Sequence, residues 1–187
     1  MDYYNLKEKY EEVKTWYDGY IFGEDQVIYK ESFINILKSK LTNNNELLIN
    51  SLINKNIKSF EIFLKDLALN TLSYYDTSSD RKESPYHAFL LGVLSGAEKD
   101  YIVKSNKESG SGRYDICLIP RSITKLGIVI EIKEDKDIEK GIKEGTEQMI
   151  AKKYDSELKS HGVTDILRLV IVFSKNEVKV VEVIGGI

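Results

Sequence analysis

Arg113-Tyr114-Asp115-Ile116-Cys117-Leu118-Ile119 and, after a polar turn, Gly127-Ile128-Val129-Ile130-Glu131-Ile132-Lys133 read as two buried strands, yet both carry ionisable side chains. Side chains of a strand alternate between faces, so Glu131 and Lys133 share one face while Ile128, Ile130 and Ile132 share the other. By the same period Asp115 lies with Cys117 and Ile119. If the two runs pair as neighbours, Asp115 comes within roughly 5 Å of Glu131 across the ladder. Two carboxylates and one ammonium then meet at a single spot. Burying such charges without compensation is costly, so the pattern points to a cation to be held or chemistry to be performed. The competing reading is a structural ion cluster at a strand end, which is a poor device for stability.

The rest of the chain sets bounds on that reading. With 187 residues it can hold one medium domain plus an appended piece and bury a sizeable core. A hydrophobic fraction of 42% with 30% charged residues argues against disorder. The formal charge of -3 excludes a globally basic nucleic-acid binder but leaves local basic patches open. Cys117 is the one cysteine, so a disulfide framework and a cysteine-rich zinc site within the chain are excluded, and it reads as a small core side chain. His87 and His161 are far apart in sequence, which disfavours a paired-histidine metal site; His87 reads as a helix residue that packs and hydrogen-bonds. No long apolar run and no leader-like pattern is seen, so the expected setting is a reducing cytoplasm with no membrane partner. No GxxxxGK[ST] loop occurs, so no ATP site of that type is expected.

Along the chain, residues 3–17 carry Leu6, Tyr10, Val13 and Tyr17 at helical spacing and stop at Asp18-Gly19. A short strand is expected over 27–29, followed by a helix capped by Ser32 and a polar linker at 42–45. Helical patterns return with Leu47, Leu48, Leu52 and Ile53, then with Phe60, Phe63, Leu64, Leu67 and Ala68. The polar run 76–80 is the expected boundary between a helical region, 1–75, and a second domain, 83–187. That domain opens with a helix capped by Ser84 with Pro85 at its first position and ending at Gly96. A strand beginning over 101–104, a flexible connection at 109–112 and the two opening strands follow. One long helix is expected over about 137–159, closed by a basic turn and Gly162, then strands over 166–173 and 178–183. The order is helix, three strands, helix, two strands.

Asp115 followed by Glu131-Ile132-Lys133, on the second and third strands of such a unit, resembles the PD-(D/E)XK nuclease superfamily. The flanking text, Glu83-Ser84-Pro85-Tyr86-His87-Ala88-Phe89-Leu90-Leu91-Gly92, the Ser105 to Asp115 stretch, Glu147-Gln148 and Lys152-Lys153-Tyr154, is similar to the subgroup in which the nuclease domain follows an AAA-ATPase-like domain. This likeness covers about residues 83 to 183. The stretch from Leu6 to Tyr20 resembles the tail of that ATPase-like domain, although Tyr29-Lys30-Glu31 stands where the family commonly has Tyr-Asn-Pro.

The resemblance implies an α/β, restriction-endonuclease-like core, a mixed sheet flanked by helices, with an N-terminal helical extension. It implies a Mg²⁺-dependent deoxyribonuclease in which Mn²⁺ substitutes, with DNA as substrate and RNA and a homodimer left open. Asp115 and Glu131 match the metal-binding carboxylates, joined by the main-chain carbonyl of Ile132, and Lys133 would orient the attacking water and offset negative charge. Glu83 matches a further ligand position used by some members, but a carboxylate there also suits the positive end of a helix. Glu108 is a rival ligand and equally a solvated loop residue. Gln148 and Tyr154 resemble helix residues that touch the active site and substrate; Tyr154 also reads as a core aromatic packing with Ile150 and Leu158. Lys152 lies four residues from Gln148 on the same face, and the Arg113 guanidinium suits a phosphate. The alternative function is a catalytically silent nuclease-fold module serving nucleic-acid or protein interaction.

Overall fold

The computed structural model describes residues 44–72, 85–109, 112–152 and 154–185. The elements expected over 3–17 and 27–29, the helix after Ser32, the boundary at 76–80, Ser84 and Glu83 lie outside the described residues, as does the side chain of Glu108.

Eleven interleaved apolar positions on the two opening runs and their neighbours explain the architecture better than any local propensity, because the sheet is buried on both faces. Five strands, β1 (Tyr101–Ser109), β2 (Gly112–Pro120), β3 (Gly127–Glu134), β4 (Ile166–Phe173) and β5 (Val178–Glu182), lie side by side in chain order. Only the β3–β4 pair is parallel; the other neighbours are antiparallel. One face carries Ile116, Leu118, Ile128, Ile130, Leu169 and Ile171. The other carries Cys117, Ile119, Val129, Val170 and Val172, as the period of two requires.

The first face is covered by α1 (Asn44–Ile53), α2 (Ile57–Leu72) and α3 (Pro85–Leu94), which place Leu48, Phe60, Leu64, Phe89 and Leu90 in the same core. Asn45 on α1 donates to the Val93 carbonyl at 3.0 Å. Glu61 on α2 takes the Val180 N–H at 2.8 Å and the Lys179 ammonium at 3.0 Å, so the α2 carboxylate closes part of the exposed edge of β5. A single 3₁₀ turn, Ser95–Ala97, continues α3.

The second face is covered by α4 (Ile138–Lys152) and the short α5 (Ser156–Ser160). Asp137 caps α4, its Oδ1 accepting the Lys140 N–H at 3.1 Å. Gly141 and Gly145 repeat four apart on the buried side, and a Cβ at either would stand 2.7 Å or 2.5 Å from Val172 or Val170 Cγ1. These glycines let the helix backbone lie directly on β4.

One expectation needs correction. The helix expected over 137–159 is two helices, because the chain turns at Tyr154-Asp155. There Asp155 is buried between Lys159, 2.7 Å away, and Arg168 of β4, 2.9 Å away, and the ion pair holds the chain off the straight helical path. The first strand begins at Tyr101, within the 101–104 segment where a strand was expected to begin, and runs on to Ser109 against β2. The expected glycine stop is present: Gly162 has φ +77° and its N–H reaches the Lys159 carbonyl at 3.0 Å. No helix among the described residues is long and apolar enough to cross a membrane.

Candidate active site

β2 and β3 pair over Ile116↔Ile130, Cys117↔Val129 and Leu118↔Ile128, and the same register carried one step further would set Asp115 opposite Glu131. The ladder ends before that step. Beyond it the Ile132 N–H donates to Asp115 Oδ2 at 2.7 Å, so a carboxylate takes a bond that a neighbouring strand carbonyl would otherwise accept. Alternation also breaks here, because Tyr114 joins the cluster of Cys117 rather than that of Ile116. The result is a fork between two strands with Asp115 on one prong and Glu131 and Lys133 on the other.

Glu131 is 2% exposed. Its Oε1 accepts the Lys133 ammonium at 2.8 Å, while its Oε2 is buried without a hydrogen-bond partner. Lys133 Nζ has a second acceptor, Gln148 Oε1 on α4, at 2.7 Å, and the Gln148 Nε2 donates to the Tyr154 hydroxyl at 2.7 Å. Tyr154 packs edge-on to Tyr114 with ring centroids 6.5 Å apart, and the Tyr114 hydroxyl donates to Glu157 Oε2 at 2.5 Å. The other Glu157 oxygen holds Lys104 Nζ at 2.5 Å. Hydrogen bonds thus run from Tyr154 through Gln148 and Lys133 to Glu131, and the ring contact with Tyr114 joins them to the Glu157–Lys104 pair.

Burial pushes the Glu131 carboxyl up to about 7, the neighbouring Asp115 charge adds to the rise, and Lys133 and the Tyr154 hydroxyl oppose it. Burial also raises Asp115, against the Ile132 N–H, His87 and Lys133, which favour its charged form. The Tyr154 phenol is pushed up to about 12, chiefly by burial. Two carboxylates facing one ammonium, with little water, leave negative charge undercompensated. An orphaned carboxylate oxygen with a second carboxylate close by is a hard-oxygen donor pair of the kind that suits a divalent cation. Among the described residues no group of three His, Cys, Asp or Glu side chains converges, so such an ion would complete its shell with other oxygens.

The fold therefore brings Asp115, Glu131, Ile132, Lys133, Gln148 and Tyr154 together. Tyr154 is 1% exposed, among Tyr114, Met149 and Leu158, whereas Ile150 is 45% exposed; the expected Tyr154–Ile150 packing is lost because the helix turns between them. Arg113 and Lys152 are exposed on the flank, where the Lys152 side chain lies across Gly112. One contributor was read only in part and another escaped the sequence reading. His87 was expected to pack and to hydrogen-bond, and it does both, 7% exposed with its Nε2 3.3 Å from the Asp115 carbonyl oxygen; its place beside the site was not foreseen. Glu157 was not singled out at all. The available signals were one imidazole in an otherwise apolar helix face and one acidic residue just past an aromatic, both too common to stand out alone.

A family model, the PD-(D/E)XK nuclease superfamily, matches residues 81–183. No curated protein matches the chain.

Proposed function

We propose that this chain, which belongs to the PD-(D/E)XK nuclease superfamily, is a Mg²⁺-dependent nuclease that hydrolyses phosphodiester bonds in DNA. The observation that carries this reading is the buried, partnerless Glu131 Oε2 at the fork beside Asp115. A chain that buries an acceptor with no donor bears a desolvation cost that an added cation would offset. Asp115, Glu131 and the Ile132 carbonyl would hold the ion. When bound, it would polarise a phosphoryl oxygen and make a coordinated water more acidic.

The protein's own groups supply the rest. An ammonium has three donors, and two of those on Lys133 are directed to Glu131 and Gln148. The third is left to orient a water or to meet the charge that grows on the phosphoryl group. Gln148 can hold Lys133 only with its carbonyl end inward, and the bond from its amide nitrogen to Tyr154 selects that orientation. Gln148 and Tyr154 thus act on Lys133 from behind, and Arg113 and Lys152, exposed on the flank, would meet the substrate backbone. The flanking text supports placing the chain in the subgroup that follows an AAA-ATPase-like domain.

The test is cleavage of DNA and of RNA by the purified chain with Mg²⁺ or Mn²⁺, alongside Mn²⁺ titration calorimetry. DNA should be cut, Lys133→Ala should lose at least about a hundredfold in rate, and Asp115→Ala should lose Mn²⁺ binding. A chain that binds no Mn²⁺ and cuts neither polymer is a silent module instead. A chain that cuts RNA alone keeps the metal site but overturns the substrate.

A further inference from the structure

The end of the β2–β3 ladder leaves the Asp115 peptide without a strand partner on the β3 side. On the other side, the β1–β2 register passes from Ser105↔Ile116 to Lys107↔Tyr114. A backbone carbonyl in such a place needs another donor, since buried main-chain groups are nearly always paired. The Asp115 carbonyl finds one outside the sheet: His87 Nε2, 3.3 Å away on α3.

A carbonyl can only accept, so in the tautomer with its proton on Nε2 the imidazole donates to Asp115. The Ser105 hydroxyl of β1 lies 3.2 Å from the same nitrogen and keeps the ring over the strand. α3 reads Pro-Tyr-His-Ala-Phe-Leu-Leu-Gly-Val-Leu, and His87 sits in it 7% exposed with Phe89, Leu90 and Val93 of the same helix buried in the core. A polar ring in that setting is costly unless its hydrogen bond is made. The same peptide unit carries the carboxylate that accepts the Ile132 N–H from β3.

We propose that His87 is a positioning residue: through Nε2–H and the Asp115 carbonyl it fixes the open prong of β2, and so holds the Asp115 carboxylate on the Ile132 N–H. Helix α3 is thereby coupled to the fork without touching the reacting atoms. The importance of this strut for catalysis rests on the nuclease reading above; the strut itself does not.

Two substitutions in the full chain separate the roles. His87→Gln keeps an N–H donor at a reach close to that of Nε2, and His87→Leu keeps the apolar body without it. Residue-resolved hydrogen exchange in the absence of metal should show the Ile132 amide exchanging about tenfold or more faster in His87→Leu, with Val129 and Ile130 unchanged and His87→Gln close to the parent. Mn²⁺ affinity and cleavage rate should fall about 10- to 100-fold in His87→Leu, the range usual for groups that orient metal ligands from behind, and recover in His87→Gln. Unchanged Ile132 exchange in a folded His87→Leu overturns the strut. Equal impairment of both variants overturns it too, because the imidazole rather than its N–H would then be required. If the parent chain neither binds Mn²⁺ nor cleaves, the nuclease reading fails, while the exchange comparison still decides the strut.

Discussion

Lys133 is the residue on which the fork depends electrostatically. Its ammonium is the cation paired with a carboxylate that is 2% exposed, so removing it leaves Glu131 buried with neither oxygen compensated by charge. Breaking a buried pair from one side costs about 3–5 kcal/mol. Lys133→Met, measured by urea unfolding in chelator, should lose about 3 kcal/mol. Glu131→Gln in the same background should return most of that loss, since the stranded charge is then gone. A double variant no more stable than Lys133→Met would mean that the lysine stem, not its charge, supports the fork. At this scale the sequence was partly transparent. A period of two is enough to put Glu131 and Lys133 on one face, and it did so. Pairing of the two runs adds Asp115 near Glu131, but that it joins them around a metal came only from the family likeness. That His87 packs and hydrogen-bonds was legible, but its partner was not, since that partner is a backbone carbonyl.

Elements place the remaining groups. The turn at Tyr154-Asp155 is what carries Tyr154 back over Gln148, six residues away, where an unbroken helix would set the two on different faces. Helical periodicity ran through this turn unseen, because the ion pair of Asp155 with Arg168 joins residues on different elements. That pair holds the Asp155 carboxyl below the ordinary aspartate range, its ion-paired hydrogen bonds to Lys159 and Arg168 outweighing burial. A depressed folded-state value means stability that is present above the unfolded-state value and lost as pH falls through the folded one. Asp155→Asn should therefore lower stability by about 2 kcal/mol at neutral pH, and its stability should be less sensitive to acid than the parent's below about pH 4. Thermal melts across pH read both.

α4 offers a sharper case. Gly145→Ala should gain about 1 kcal/mol in helix propensity, yet its new methyl would meet Val170 Cγ1 at 2.5 Å and Lys133 Cγ at 3.4 Å. We expect net destabilisation by at least about 1 kcal/mol and slower cleavage, as the helix lifts and draws Gln148 from Lys133. A variant more stable than the parent would show that α4 shifts freely on the sheet.

At the scale of the whole fold, the sheet among the described residues ends in two edges, and the β5 edge is partly closed by Glu61 on α2. Edge strands with free N–H groups invite pairing with other copies. Glu61→Ala should therefore raise the fraction of dimer and larger species in light scattering at constant concentration, with activity per folded chain unchanged. The same contact ties the helical extension to the nuclease-like core, since α1 and α2 share apolar residues with the sheet. The alternation of strands and helices, and hence the layered class, could be read from sequence because it is written in local periodicity. The closure of an edge by a carboxylate 119 residues away in sequence could not.

Cys117 lies fully buried two residues beyond Asp115, and it is the only thiol in the chain. A disulfide reagent added in excess can therefore modify the native protein only when β2 separates from its coverings, so the labelling rate is a stopwatch for opening of that strand. Divalent ions that bridge the two prongs should slow the clock, and His87→Leu should quicken it, without any nucleic acid present. The fork thus comes with its own chemical reporter.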